Sequence, residues 1–399
     1  MFRRFIPKSV EDITPEWLSR VLTENGVIKN STVRGVRSEP LGEEQGYMGI
    51  LARLFIEYDQ AEETAPATMI VKLPTRELKN RMTGELFLNY ERENRMYEEF
   101  LGILPLRTPR CYYSDMDKGM GKRTASLSYA LYEKLPKGFI GLWLGFFMLL
   151  AILLRRRYIL LLEDFQNLDY VDQRDGCTFE QAKQVMKQWG LAQAVYWENP
   201  EVERYWLKPH SELSNLMGLL YERGLPVIKR NFNEKLSEKE NEVFDWIAEN
   251  NKEMNEHIRT RPTTLVHSDY RIDNIFFDCE KDEIAVIDWQ TCYQGLGVAD
   301  PAYFCLSGGN CAFSLEQVEE LITIYHSGLV EGGVSNYSLE ECLADYKYGL
   351  LVAIRYVMII LGALEIDKDQ NAQLLVSLWL DRMKPLIEGI DLSTLLKSA

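Results

Sequence analysis

Between Val266 and Gln290 the chain gathers side chains that could do chemistry together. His267, Asp269 and Asn274 form the pattern H-x-D-x-x-x-x-N directly after the apolar run Thr264-Leu265-Val266. Fourteen residues after Asn274 comes Asp288, at the end of a second apolar run, Ala285-Val286-Ile287. Phosphoryl transfer from ATP asks for these residue types. One carboxylate receives or orients the proton of the attacking hydroxyl, while an amide and a second carboxylate hold Mg2+ against the phosphates. A β-hairpin with the first group on its entry loop and Asp288 at its exit brings them to one strand-end edge. The plainer alternative makes both aspartates strand-end turn residues and Asn274 a turn former, which requires separate coincidences.

Upstream, Lys72 ends the apolar run Met69-Ile70-Val71. A lysine there is either a snorkelling edge residue or a ligand of ATP α/β-phosphates oriented by a carboxylate on the next helix. Glu91 and Glu93 both qualify. Glu93 is preferred because Tyr97 lies one turn further along the same face. The loop Gly42-Glu43-Glu44-Gln45-Gly46-Tyr47-Met48-Gly49 could lay N–H groups over phosphates, but it matches no phosphate-loop pattern and reads equally well as a β-turn.

The elements around these residues fall into two parts. Thr14 is a candidate N-cap and Pro15 a first helical residue for a short helix ending near Gly26. Residues 31–72 read as a three-strand meander. Residues 84–101 switch to helical spacing, with Phe87, Tyr90, Met96, Tyr97 and Phe100 near one stripe. ILLLEDF (159–165) is a short buried strand running into an acidic turn. Helical patterns then fill 179–197, 237–258, 315–331, 339–364 and 370–388, interrupted by the β-rich stretch 263–290. The expectation is an α+β chain: a small β-rich part over residues 1–162 and a larger helical part over 163–399.

Composition narrows the partners. The 399 residues carry 45 Lys+Arg against 60 Asp+Glu, a formal net charge of -15, which would be repelled by a phosphate backbone; nucleic acid is not the expected partner. Seven scattered cysteines form no C-x-x-C pair, and the four histidines show no zinc spacing. A reducing, cytoplasmic setting is expected. The N-terminus has no apolar core of signal-peptide length and reads as an ordinary soluble start.

VHSDYRIDNIFF, VIDWQ and GLGVADPAYF together resemble the aminoglycoside phosphotransferase and choline kinase superfamily, in particular its ecdysteroid kinase-like (CHK kinase-like) branch of small-molecule kinases. The resemblance implies a protein-kinase-like bilobal fold using ATP and Mg2+. By matching position it makes Asp269 the catalytic base, Asn274 and Asp288 the Mg2+ ligands, Lys72 the phosphate lysine and Glu93 its partner. Adenine would lie against the backbone around Glu163, Asp164 and Phe165. Ser268 stands where the family usually has glycine, a change expected to matter little. Gln193-Ala194 replaces a common His-Ala, and Asp300 fits an aspartate that braces the catalytic loop. The expected activity is transfer of the ATP γ-phosphate to a hydroxyl of a small molecule; the alternative is an inactive kinase fold serving as a nucleotide-binding or scaffold protein. Trp197, Trp206, Tyr303, Phe304, Tyr325 and Tyr356 could line an acceptor pocket or belong to the core.

One segment does not fit. Residues 139–154, FIGLWLGFFMLLAILL, are sixteen uncharged positions following Lys134 and Lys137 and preceding Arg155, Arg156 and Arg157. As a helix they would span roughly 24 Å, short of a hydrocarbon core of about 30 Å. A single span would also put Lys72 and Asp288 on opposite sides of a membrane. Three explanations stand: an insert dipping into one leaflet as a peripheral membrane contact, with the arginines on headgroups; an extra buried helix; or residues 122–157 as a gene-model artefact, such as translated intron.

Overall fold

The computed structural model describes residues 5–41, 48–60, 62–118, 127, 130–131, 133–154, 156–208, 210–363 and 370–396. Residues 42–47 of the Gly42–Gly49 loop lie outside them. The chain divides into two compact units. One comprises Met1–Ile103, Thr108–Arg123 and Gly141–Asn167; the other comprises Leu104–Arg107, Thr124–Ile140 and Leu168–Ala399.

The first unit begins with helix α1 (Pro15–Glu24), where Thr14 Oγ1 accepts the Trp17 N–H at 3.2 Å and proline occupies the first helical position. Strands β1 (Val33–Pro40), β2 (Gly49–Tyr58) and β3 (Thr68–Pro74) form the expected antiparallel meander. Along β3, Met69, Val71 and Leu73 are buried with Leu18, Leu22 and Leu54. Period-two alternation therefore turns Lys72 to the opposite face of the sheet. The helical stretch that follows is not continuous. Leu88, at φ 57°, separates α2 (Leu78–Leu86) from α3 (Asn89–Arg95), and a π-helical turn over Met96–Phe100 continues α3. β4 (Cys111–Met116) leads outward, and helix α4 (Lys137–Leu154) precedes β5 (Tyr158–Leu162), which completes the five-stranded order β1-β2-β3-β5-β4.

The apolar segment is thus helical, and at 18 residues spans about 27 Å. Among the described residues no helix is long and apolar enough to cross a membrane. Ile140 and Leu144 are buried, whereas Phe139, Leu142, Phe146 and Leu149 form an exposed stripe. Two of the flanking arginines do not face outward. Arg156 is buried, with Nε and Nη2 on Glu85 Oε2 at 3.0 and 2.8 Å and Nη1 on Glu91 Oε2 at 2.7 Å. Arg157 pairs with Asp117 at 2.7 Å. Met116 faces Tyr158 in the sheet, and Asp117 N–H donates to Arg157 O at 2.9 Å. Arg156 and Arg157 therefore belong to the sheet's own architecture. This corrects the placement of the two arginines on headgroups, and it moves the end of any removable insert to before Arg156.

The second unit is mainly helical: α5 (Phe179–Ala194), α6 (Ser214–Phe232), α7 (Glu238–Glu249), α8 (Asn251–Ile258), α9 (Ala299–Ser307), α10 (Leu315–Glu331), α11 (Leu339–Ala363) and α12 (Gln370–Glu388). Helix α6 runs through Pro226 against α11, and a Cβ on Gly224 would meet Met358 O at 2.6 Å, so the close approach requires glycine there. The β-rich interruption holds β7 (Thr264–Val266), β8 (Ile275–Asp278) and β9 (Glu283–Val286). β8 and β9 form a hairpin extended by β6 (Asp169–Tyr170), whereas β7 pairs with β10 (Tyr293–Gly295). The fold class is α+β, with a small β-rich unit and a larger helical one.

Candidate active site

In the second unit, hairpin register brings the chemistry together. Ile275 faces Val286, so the residues just outside the pair, Asn274 and Ile287, are neighbours: Ile287 N–H donates to Asn274 O at 3.0 Å. Asp288, the next residue, therefore sits at the same end of the hairpin as Asn274. Its backbone is in the left-handed region at φ 63°, and its Oδ2 accepts from Gln290 Nε2 at 3.2 Å. Asn274 Nδ2 donates to both Asp269 O and Asp269 Oδ2, at 2.8 and 3.1 Å. The amide nitrogen is thereby committed to the loop, which leaves the amide oxygen as the atom suited to a cation.

Asp269 receives further donors. Arg271 Nε lies 3.3 Å from Oδ1, and Tyr303 O–H donates to Oδ1 at 3.2 Å. The loop's backbone is fixed from below by Asp300, whose carboxylate accepts His267 N–H at 2.7 Å, Ser268 N–H at 2.8 Å and Gln193 Nε2 at 3.2 Å. His267 Nε2 donates to Ile287 O at 2.9 Å and ties the loop to the exit of the hairpin. Burial lifts the Asp300 carboxyl to a pKa of about 7 against the pull of its two backbone donors. Gln193 spans β7 and Asp300 and accepts from Tyr325 O–H at 2.5 Å, a bracing role. Ser268 adopts φ 72°, where glycine is unstrained and serine is not. A glycine at this position would carry no such strain.

Beside Ser268 lies a small hollow with room for about one water, lined in part by Tyr293, Tyr303, Tyr356, Val352 and Ala353. Of the six aromatic candidates for an acceptor pocket, Tyr303 and Tyr356 line it. Trp206, Phe304 and Tyr325 are core, and Trp197 packs on Tyr337 with ring centroids 4.8 Å apart.

In the first unit, Lys72 Nζ lies 2.8 Å from Glu93 Oε1 and 2.7 Å from Oε2. Glu91 is engaged by Arg156 and by Arg95. Asp164 takes a bidentate pair from Arg53, at 2.7 Å to Nε and 3.0 Å to Nη2. Glu163 exchanges two bonds with the Arg110 backbone: its N–H donates to Arg110 O at 2.9 Å and its Oε2 accepts Arg110 N–H at 3.1 Å. Phe165 follows in the same turn. Lys72, Glu93, Glu163, Asp164 and Phe165 thus belong to the first unit, and Asp269, Asn274 and Asp288 to the second. Tyr303 and Arg271 were not singled out for Asp269 from the sequence; Arg271, at i+2 from the aspartate, was the readable signal.

The lysine–glutamate pair thus lies on the small antiparallel sheet of the first unit, and the Asp–Asn–Asp set on the hairpin and its entry loop in the second. Residues 147–334, a little under half of the chain, match the Ecdysteroid kinase-like family, the family that VHSDYRIDNIFF and VIDWQ resemble. The mouse (Mus musculus) protein Acyl-CoA dehydrogenase family member 10 is 50% identical over 50 residues, 12% of this chain and 5% of that protein. Acyl-CoA dehydrogenase IBR3 of Arabidopsis thaliana is 34% identical over 110 residues, 27% of this chain and 13% of that protein. The chain thus spans only a small fraction of either relative, and the dehydrogenase chemistry in their names is not carried to it. Choline kinase from Cryptosporidium parvum superposes with a TM-score of 0.45 at 12% identity, over 88% of this chain and 90% of that one.

Proposed function

We propose that the protein transfers the γ-phosphate of ATP to a hydroxyl of a small molecule, with Mg2+ as cofactor. The observation that carries this reading is the Asp269–Asn274 clasp with Asp288 at the same hairpin end. Asp269 orients the acceptor hydroxyl and takes its proton. Asn274 and Asp288 supply hard oxygen donors of the kind Mg2+ prefers. Bound Mg2+·ATP supplies the transferable phosphoryl group and neutralises its charge. Lys72, oriented by Glu93, holds the phosphates, and the backbone at Glu163, Asp164 and Phe165 takes adenine. The test is phosphoryl transfer from Mg·ATP to a panel of small alcohols, with Asp269→Asn alongside. Loss of transfer in the variant supports the reading. Mg·ATP binding without turnover on any acceptor would favour the scaffold reading.

We also propose that α4 makes a peripheral contact with one membrane leaflet. Its exposed stripe of Phe139, Leu142, Phe146 and Leu149 favours this, with Lys134 and Lys137 just before it in the sequence of a chain otherwise rich in acid. Flotation with phosphatidylserine-containing vesicles tests it. The native protein should float, and the double variant Leu142→Glu, Phe146→Glu should not; equal flotation of both would refute the contact.

A further inference from the structure

The donors on Asp269 are of two kinds. Arg271 and Asn274 come from its own loop and move with it. Among the described residues, Tyr303 is the donor that reaches Asp269 from outside that loop. It stands on α9, three residues after Asp300, and i, i+3 spacing places the two on one helix face. One helix face thus grips the loop twice: Asp300 takes the backbone N–H groups of His267 and Ser268, and Tyr303 takes the carboxylate of Asp269. The Tyr303 ring is buried and meets Tyr356 and Trp379 edge-on, at centroid distances of 6.0 and 6.2 Å. Its rotamer is therefore set by packing, and its hydroxyl is a fixed point against which the carboxylate is held.

We propose that Tyr303 is a positioning residue: its phenol O–H on Oδ1, opposite Asn274 on Oδ2, fixes the plane of the Asp269 carboxylate so that the remaining lone pairs meet the acceptor hydroxyl in one orientation. The inference rests on the proposed role of Asp269. Tyr303 also lines the hollow beside Ser268, so one side chain both walls that space and aims the base. A buried phenol needs some hydrogen-bond partner in any case. What separates the two meanings is whether turnover depends on this bond through Asp269.

The experiment measures hydrolysis of Mg·ATP, with water as acceptor, by the full chain and by Tyr303→Phe, Asp269→Asn and the double variant. Tyr303→Phe keeps the ring packing and removes the donor. It should lower kcat roughly tenfold to a hundredfold while leaving KM for ATP within about twofold, since misaimed groups lose rate rather than binding. In the Asp269→Asn background the same change should cost nothing further. Native-like kcat in Tyr303→Phe overturns the inference while leaving the phosphotransfer reading intact, and so does an equal loss in both backgrounds. If native and Asp269→Asn proteins hydrolyse ATP equally, the role proposed for Asp269 fails instead. Urea unfolding of Tyr303→Phe, Asp269→Ala and their combination then decides the contact itself. Midpoint shifts smaller together than their sum are expected, and additive shifts overturn it.

Discussion

Asp300 accepts the Ser268 N–H at 2.8 Å and so holds a residue with a Cβ at φ 72°, next to the aspartate proposed to do the chemistry. The strain belongs to serine, and the hydrogen bond offsets it. Ser268→Gly should relieve it and stabilise the protein by about 1 kcal/mol. Urea midpoints at constant m-value would check this; an unchanged or lower midpoint would show that the loop is not strained there.

The same aspartate should leave a mark on the pH dependence of stability. Burial raises the Asp300 pKa to about 7 in the folded protein, from an ordinary 3.8. Its folded form therefore binds more protons than its unfolded form between those values. The contribution is fully present below about pH 4 and is lost as pH rises through about 7. Between pH 5 and pH 8 the native protein should lose more unfolding free energy than Asp300→Asn, which cannot titrate there. Parallel slopes would count against a raised pKa.

Arg156 pairs with two buried glutamates at once. Arg156→Ala should destabilise by about 3–5 kcal/mol because Glu85 and Glu91 lose their shared cation. Arg157→Ala, at a more accessible pair with Asp117, should cost no more than about 1 kcal/mol. By the same argument, deleting residues 122–155 should leave a cooperatively unfolding protein, whereas extending the deletion through Arg157 should not. Thermal melts of the variants make the comparison.

Lys72 and Glu93 form a largely buried pair on the face of the sheet away from its core. Lys72→Met should raise KM for ATP and lower kcat at least tenfold. Glu93→Gln, which keeps the shape and drops the charge, should do so less. Steady-state kinetics on the acceptor found in the panel would separate them, and native kinetics in Lys72→Met would remove the lysine from the site.

Much of this arrangement was legible because it rests on local rules. The Thr14 cap, the alternation that turns Lys72 away from Met69 and Val71, and the hairpin that aligns Asn274 with Asp288 all follow from spacing. What was not legible depends on distant partners. Helix α6 was missed because Gly218, Gly224 and Pro226 argue against a helix locally, yet Gly224 is needed where α11 approaches. The break at Leu88 has no sequence punctuation. Arg156 looked like one of three arginines flanking an apolar run, and only the fold of α2 and α3 supplies its two carboxylates. Tyr303 read as core or pocket wall because nothing in its neighbourhood announces a contact 34 residues away.

The central claim is a site for Mg·ATP that depends on Asp288. The direct measurement is thermal stability with and without Mg·ATP, for the native protein and Asp288→Asn. At about 100 times its Kd the ligand adds about 2.7 kcal/mol, enough to raise Tm by a few degrees. The account predicts that the native protein shows this rise only with Mg2+ present and that Asp288→Asn does not show it. Folded native protein whose Tm does not move with saturating Mg·ATP, or an equal rise in both proteins, would contradict it.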